Sequence, residues 1–197
     1  MERLSHLIVS EPAALKGTWG QTFGFEALYV ELGCGKGRFT VETAAQFPDV
    51  LFVGLEKIGD AMINAVELAH ELGLRNLRFV NADINNFTDF FSDGEISKIY
   101  INFCDPWPAN RHIKRRLTGP RFLQMYKDAL CPKGQIRFKT DNLPLFEYSL
   151  EEFEYCGFLI TEERRDLHKD GPVGVMTDYE RKFYDMGLPI YAAVCEK

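Results

Sequence analysis

Short apolar or β-branched runs alternate along the chain with longer stretches in which apolar residues recur at helical spacing. This is the pattern of a sheet covered by helices on both faces. The runs predict strands over residues 27–32, 51–55, 77–80, 98–103 and 135–139. The helical spacing predicts helices over 37–46, 60–72, 118–130 and 144–156, with Gly73 closing the second and the Pro132-Lys133-Gly134 run breaking the chain before the fifth strand. After that the alternation changes: residues 158–164 and 190–195 read as two further strands with the segment 177–186 between them. The expected fold is α/β, a mostly parallel sheet with a C-terminal antiparallel strand pair. No repeat or composition break divides the 197 residues, which predicts one domain over 1–197 with 1–26 as a lead.

Composition narrows the class. A content of 46% hydrophobic and 13% aromatic residues fills a core and excludes disorder. The cysteines at 34, 104, 131, 156 and 195 form no C-x-x-C pair, so neither a disulfide framework nor a metal site is expected, and a reducing cytoplasm fits. The N-terminus lacks the charged-then-apolar pattern of a signal peptide, and no run approaches the roughly 18 apolar residues of a membrane span, so no membrane partner is expected.

The net charge of −6 opposes binding to a polyanion on average, but the average conceals a split. Residues 1–100 carry 8 basic and 14 acidic side chains, whereas residues 111–139 carry nine basic ones and a single acid, Asp128. RHIKRR at 111–116 holds four cations in six residues. Such an island reads as a docking site for phosphate or as a solvated helical face.

In open α/β sheets ligands bind beyond the carboxyl ends of the strands, near the point where strand order reverses. The first end gives Glu31-Leu32-Gly33-Cys34-Gly35-Lys36-Gly37, a glycine turn opening a helix. Its third glycine comes one residue early for the dinucleotide fingerprint, with Arg38 in the expected place, which argues against NAD. Glu56 follows the second strand about where an acid accepting ribose hydroxyls is expected, and Asp83 and Asp105 follow the third and fourth. Four such acids without a basic partner repel one another unless a cation is bound. A sulfonium nucleoside, S-adenosylmethionine, supplies the ribose, the adenine and the positive charge. After the fourth strand, prolines flank Trp107 and stiffen its loop, while the fifth ends at Asp141. Thr177-Asp178-Tyr179-Glu180 fits a helix capping box.

Taken in order, ELGCGKG, GLE, NAD, NFCDPWP, RHIKRRLT, FKTDN, TDYERKF and GLPIY strongly resemble the bacterial tRNA (guanine-N7-)-methyltransferases. The resemblance implies a Rossmann-like, S-adenosylmethionine-dependent methyltransferase fold acting on tRNA, as a monomer or homodimer. It implies that Glu31, Gly33, Gly35, Glu56, Asp83 and Asp105 line the cofactor site, with Asp105 also acting catalytically. Asp141, Thr177, Asp178, Tyr179 and Glu180 would hold the target guanosine, and Arg111, His112, Ile113, Lys114, Arg115 and Arg116 would touch RNA. Two departures stand out: Ala109 and Asn110 occupy positions where the family carries lysines, and its basic, Trp-containing start is absent before Glu2. Either the start is truncated or RNA affinity rests more on residues 111–139. Guanine N7 has a lone pair and no proton, so in-line transfer requires alignment rather than a general base. Neutralising Arg115 and Arg116 is expected to weaken tRNA binding and spare the cofactor. Methylation of another substrate, or a non-catalytic RNA-binding module on the same fold, are the competing readings.

Overall fold

The computed structural model describes residues 2–197. A 3₁₀ turn over Glu2–Leu7, anchored by the buried Leu7, packs on the third helix and third strand, and α1 (Trp19–Phe23) completes the lead. Then come β1 (Ala27–Leu32), α2 (Arg38–Gln46), β2 (Val50–Glu56), α3 (Gly59–Glu71), β3 (Leu77–Asn81), α4 (Phe87–Phe90) and β4 (Ile96–Asn102). The second half runs α5 (Pro120–Ala129), β5 (Leu130–Thr140), α6 (Leu143–Tyr155), β6 (Leu159–Arg164), α7 (Asp178–Asp185) and β7 (Tyr191–Glu196).

The seven strands form one sheet in the order β3-β2-β1-β4-β5-β7-β6. Pairs among β1 to β5 are parallel, while β7 runs antiparallel to both β5 and β6. The expected mostly parallel sheet with a C-terminal antiparallel pair is therefore present, with the reversal confined to β7. Strand order turns back between β1 and β4, so their carboxyl ends mark the crevice where a ligand binds.

The strand sequences explain their places. β2 is buried at every position from Leu51 to Leu55, as a central parallel strand covered on both faces must be. β6 is largely exposed and ends in charged residues, which suits an edge strand. On one face α2 and α3 enclose Phe52, Phe79 and Tyr100; on the other Trp19, Phe122, Tyr126 and Phe146 pack against Val53, Ile99, Ile136 and Phe138. Across β5, β7 and β6 the first face carries, instead of a helix, part of the 165–177 connection. Among the described residues no helix is long and apolar enough to cross a membrane.

Candidate active site

The glycine turn owes its shape to left-handed backbone at Gly33, Gly35 and Gly37, with φ of 77°, 53° and 73°. The three glycines do different work. A Cβ on Gly33 or Gly35 would meet nothing within 4 Å, so that side of the turn is open to a ligand. A Cβ on Gly37 would lie 2.1 Å from the Cβ of Ala65, so this glycine lets α2 approach α3. Arg38, in the place of the displaced third glycine, donates to Asp178 at 3.0 Å and ties the turn to α7.

The strand-end acids differ in environment. Glu31 is buried; it accepts from the Thr40 hydroxyl and, at 2.9 Å, from the Asn102 amide, and burial lifts its pKa to about 7. Glu56 accepts from the backbone N–H of Gly35 at 2.8 Å and of Ile58 at 2.9 Å, which fixes its carboxylate below the turn. Asp83 accepts from Lys57 at 2.7 Å and from Asn85, and those bonds hold its pKa down near 2. The expectation of four acids without a basic partner is corrected here: Lys57, directly after Glu56, neutralises Asp83. Asp105 is exposed at the mouth. Glu56, Asp83 and Asp105 line one cleft of about 860 Å³, within the range of ligand sites.

The loop after β4 is held under strain. Phe103 and Trp107 take left-handed backbone, φ 51° and 40°, which costs a non-glycine residue roughly 1–3 kcal/mol and recurs at functional sites. Arg116 holds the strain in place by donating to the carbonyls of Pro106 at 2.9 Å and Trp107 at 3.2 Å, with its guanidinium 4.3 Å from the Tyr148 ring. The basic island is thus not one surface. Lys127 donates to the carbonyls of Cys156 and Gly157 beyond α6, and Lys139 is buried in an ion pair with Glu180. Within the 3₁₀ turn Asn110–Arg115, Arg111, Lys114 and Arg115 are exposed, His112 packs edge-on against Trp107, and Ile113 is half-buried. Arg115 stacks over Trp107 at 4.8 Å, and both line the cleft with Lys114.

A second recess of about 260 Å³ adjoins the first, sharing Gly33, Asn102 and Phe103 with it. Thr177, Asp178 and Tyr179 form its far wall. Tyr179 is 47% exposed, lies 5.2 Å from Phe103 ring to ring, and is hydrogen-bonded to Asp141; partial burial and that carboxylate raise its pKa. Thr177 and Glu180 make the expected capping box. Glu180 itself is fully buried, its oxygens taken by Lys139, His168 and the Thr177 N–H, so it positions its neighbours rather than facing the recess. Sequence reasoning missed Asn102 and Phe103, although both lie inside the NFCDPWP motif. The signal was available: β4 lies beside β1, whose Glu31 carboxylate Asn102 reaches.

Whether S-adenosylmethionine fits these residues can be judged from the cleft itself. The buried side-chain oxygen Oδ1 of Asn102 has no hydrogen-bond partner, although Asn102 lines both recesses. A buried acceptor left over at a cleft calls for a donor from a ligand. The open side of Gly33 and Gly35 and the carboxylates of Glu56 and Asp83 suit a cationic nucleoside.

A family described as "Putative methyltransferase" matches residues 26–193. The tRNA (guanine-N(7)-)-methyltransferase of Bacillus velezensis is 44% identical over 96% of this chain and 88% of its own length. That of Halalkalibacterium halodurans is 45% identical over 94% of this chain and 85% of its own. Among solved structures the 16S rRNA methyltransferase KamB superimposes with a TM-score of 0.70 at 16% identity, covering 91% of this chain and 92% of that one, which is a likeness of fold. Identity at this level across nearly the whole sequence means that the chain belongs to the tRNA (guanine-N7-)-methyltransferase family.

Proposed function

We propose that this chain transfers the methyl group of S-adenosylmethionine to N7 of a guanine in the tRNA variable loop, in the cytoplasm, as a monomer or homodimer. What supports the reading above all is that a cleft lined by Glu56, Asp83 and Asp105 and a smaller recess beside Tyr179 meet at Gly33, Asn102 and Phe103. The bound cofactor supplies an electrophilic methyl group on a positively charged sulfur.

The side chains divide the remaining work. Glu56 and Asp83 hold the nucleoside end against the open glycine turn, while Glu31 and Asn102 form the polar floor below Gly33. Asp141 and Tyr179 take the guanine edge, and the rings of Tyr179 and Phe103 offer stacking surface to a base turned out of the tRNA fold. N7 carries a lone pair and no proton, so no side chain removes one. Alignment supplies the rate, up to about 7–11 kcal/mol in the best oriented systems. The methylated base is cationic, and Asp105, at the mouth between the strained Phe103 and Trp107, stabilises that developing charge. Arg111, Lys114 and Arg115 take phosphates and set the register of the RNA without reading its sequence.

The test is incubation of the purified chain with isotopically labelled S-adenosylmethionine and a tRNA transcript. Label should appear at a single guanosine, yield strand scission at 7-methylguanosine, and vanish when that position carries 7-deazaguanine. Label at another atom, or none, overturns the reading.

A further inference from the structure

A groove of about 240 Å³ runs over the sheet between α2 and the 165–177 connection, floored by β4, β5, β7 and β6. Apolar side chains, including Phe47, Tyr100 and Val173, line much of it, together with Lys98, Arg137 and Arg164. Arg164 is neutralised by Glu162 at 2.8 Å. Lys98 and Arg137 are not: among the described residues neither forms an ion pair. Lys98 rests its ammonium 4.4 Å from the Tyr29 ring, and burial together with the charge of Arg137 lowers its pKa to about 8.

The two cations are diagonal neighbours, since Lys98 lies opposite Gln135 and Tyr100 opposite Arg137. Strand periodicity places Lys98 and Tyr100 on one face, and Arg137 shares it. Adjacent like charges over a partly apolar floor work against the free protein, and an anion removes the conflict. The groove also lies next to the smaller recess: Phe39 lines both, and residues 173–175 of the groove precede Thr177 of the recess in the chain.

A cationic channel with aromatic walls is the surface that seats single-stranded RNA, phosphates on the charges and bases or riboses on the rings. We propose that Lys98 and Arg137 take backbone phosphates of the tRNA strand flanking the target guanosine, making this sheet face a second RNA contact beside the Asn110–Arg115 turn. The proposal rests on the methyltransferase reading for the identity of the polyanion.

The experiment compares the wild type with Lys98→Gln, Arg137→Gln and the double variant, measuring tRNA binding over a series of salt concentrations, S-adenosylmethionine binding by calorimetry, melting temperature, and self-association by sedimentation. The double variant should raise the tRNA dissociation constant about tenfold and lower the slope of log affinity against log salt by about one to two. It should bind S-adenosylmethionine as before and melt no lower than the wild type, because an uncompensated pair has been removed. Should that variant fail to fold, the single Arg137→Gln change, at an exposed site, carries the test with a slope change of about one. A folded variant with wild-type tRNA affinity and salt slope overturns the proposal, and so does one that alters only self-association, which would make the groove a contact between copies of the chain. A wild type that methylates tRNA while the variants bind it normally refutes this seat alone. If the wild type methylates nothing but loses tRNA affinity on substitution, the seat stands and the methyltransferase reading falls.

Discussion

Both carboxylate oxygens of Glu180 accept hydrogen bonds from the ammonium of Lys139, at 2.9 and 2.8 Å, and Glu180 has no exposure to solvent. Lys139 stands two residues before Asp141, and Glu180 directly follows Tyr179. One buried ion pair therefore clamps together the two segments assigned to the guanosine, with His168 as a third member. Val173 donates its N–H to Nδ1 of His168, so Nε2 carries the ring proton and donates to Glu180. Glu180→Ala should cost about 3–5 kcal/mol in urea denaturation, since it strands a buried cation. Lys139→Ala should cost a similar amount, and the double variant clearly less than the sum of the two. Additive losses would mean that the pair is not a unit.

Glu31 makes stability and donor binding respond oppositely to pH. Burial lifts its pKa from 4.5 to about 7, so the folded chain binds this proton more tightly than the unfolded chain does. Stability from this group is complete below about 4.5 and is lost as pH rises to about 7. Glu31→Gln should flatten that part of the stability curve, gaining on the wild type at pH 8 but not at pH 4. Affinity for the cationic cofactor should rise between pH 6 and 8 in the wild type and stay level in the variant. Calorimetry across that range checks it, and a flat wild-type profile would remove Glu31 from the site.

Gly37 tests the packing half of the glycine turn. Alanine there adds a Cβ 2.1 Å from that of Ala65 at a left-handed position, φ 73°. Gly37→Ala should lose about 2–4 kcal/mol from overpacking and backbone strain together. Adding Ala65→Gly should return only the packing share.

The cations of the 111–116 run should separate in their effects, and the expectation that Arg116 acts on tRNA alone is corrected by its bonds to the loop after β4. Arg116→Ala removes the two bonds to the Pro106 and Trp107 carbonyls, so it should weaken cofactor binding and lower the rate at saturating tRNA. Charge-neutralising changes at Arg111 and Lys114, both exposed, should instead raise the tRNA dissociation constant and leave the cofactor alone. Equal effects on both ligands from both sets would dissolve the distinction.

The regular elements were legible because local pattern decides them. The predicted strand at 27–32 matches β1, and the helices predicted at 60–72 and 144–156 each fall one residue from the observed α3 and α6. The short α1 and α4 were not legible: four or five residues carry too little periodicity, and Trp19 is fixed by a bond from its Nε1 to the Phe90 carbonyl far along the chain. The site was half legible. Acids at strand ends follow from topology, but which charge meets which does not. Nothing in RHIKRR announces that Arg116 turns inward while Lys114 faces out, and nothing in FKTDN announces that Lys139 is sealed against Glu180. Those choices depend on contacts between residues distant in sequence, formed only once the sheet has assembled.

The position of β7 in the sheet also sets the order of assembly. β6 leaves the ribosome before the strand that lies between it and β5, so the nascent chain carries β6 without its one partner and β5 with one raw edge. Until residues 191–196 emerge, β5, the strand that leads to Asp141, is supported by β4 alone. Completion of the sheet beside Asp141 therefore waits for β7, and a chain stalled before residue 191 would expose a sticky ribbon.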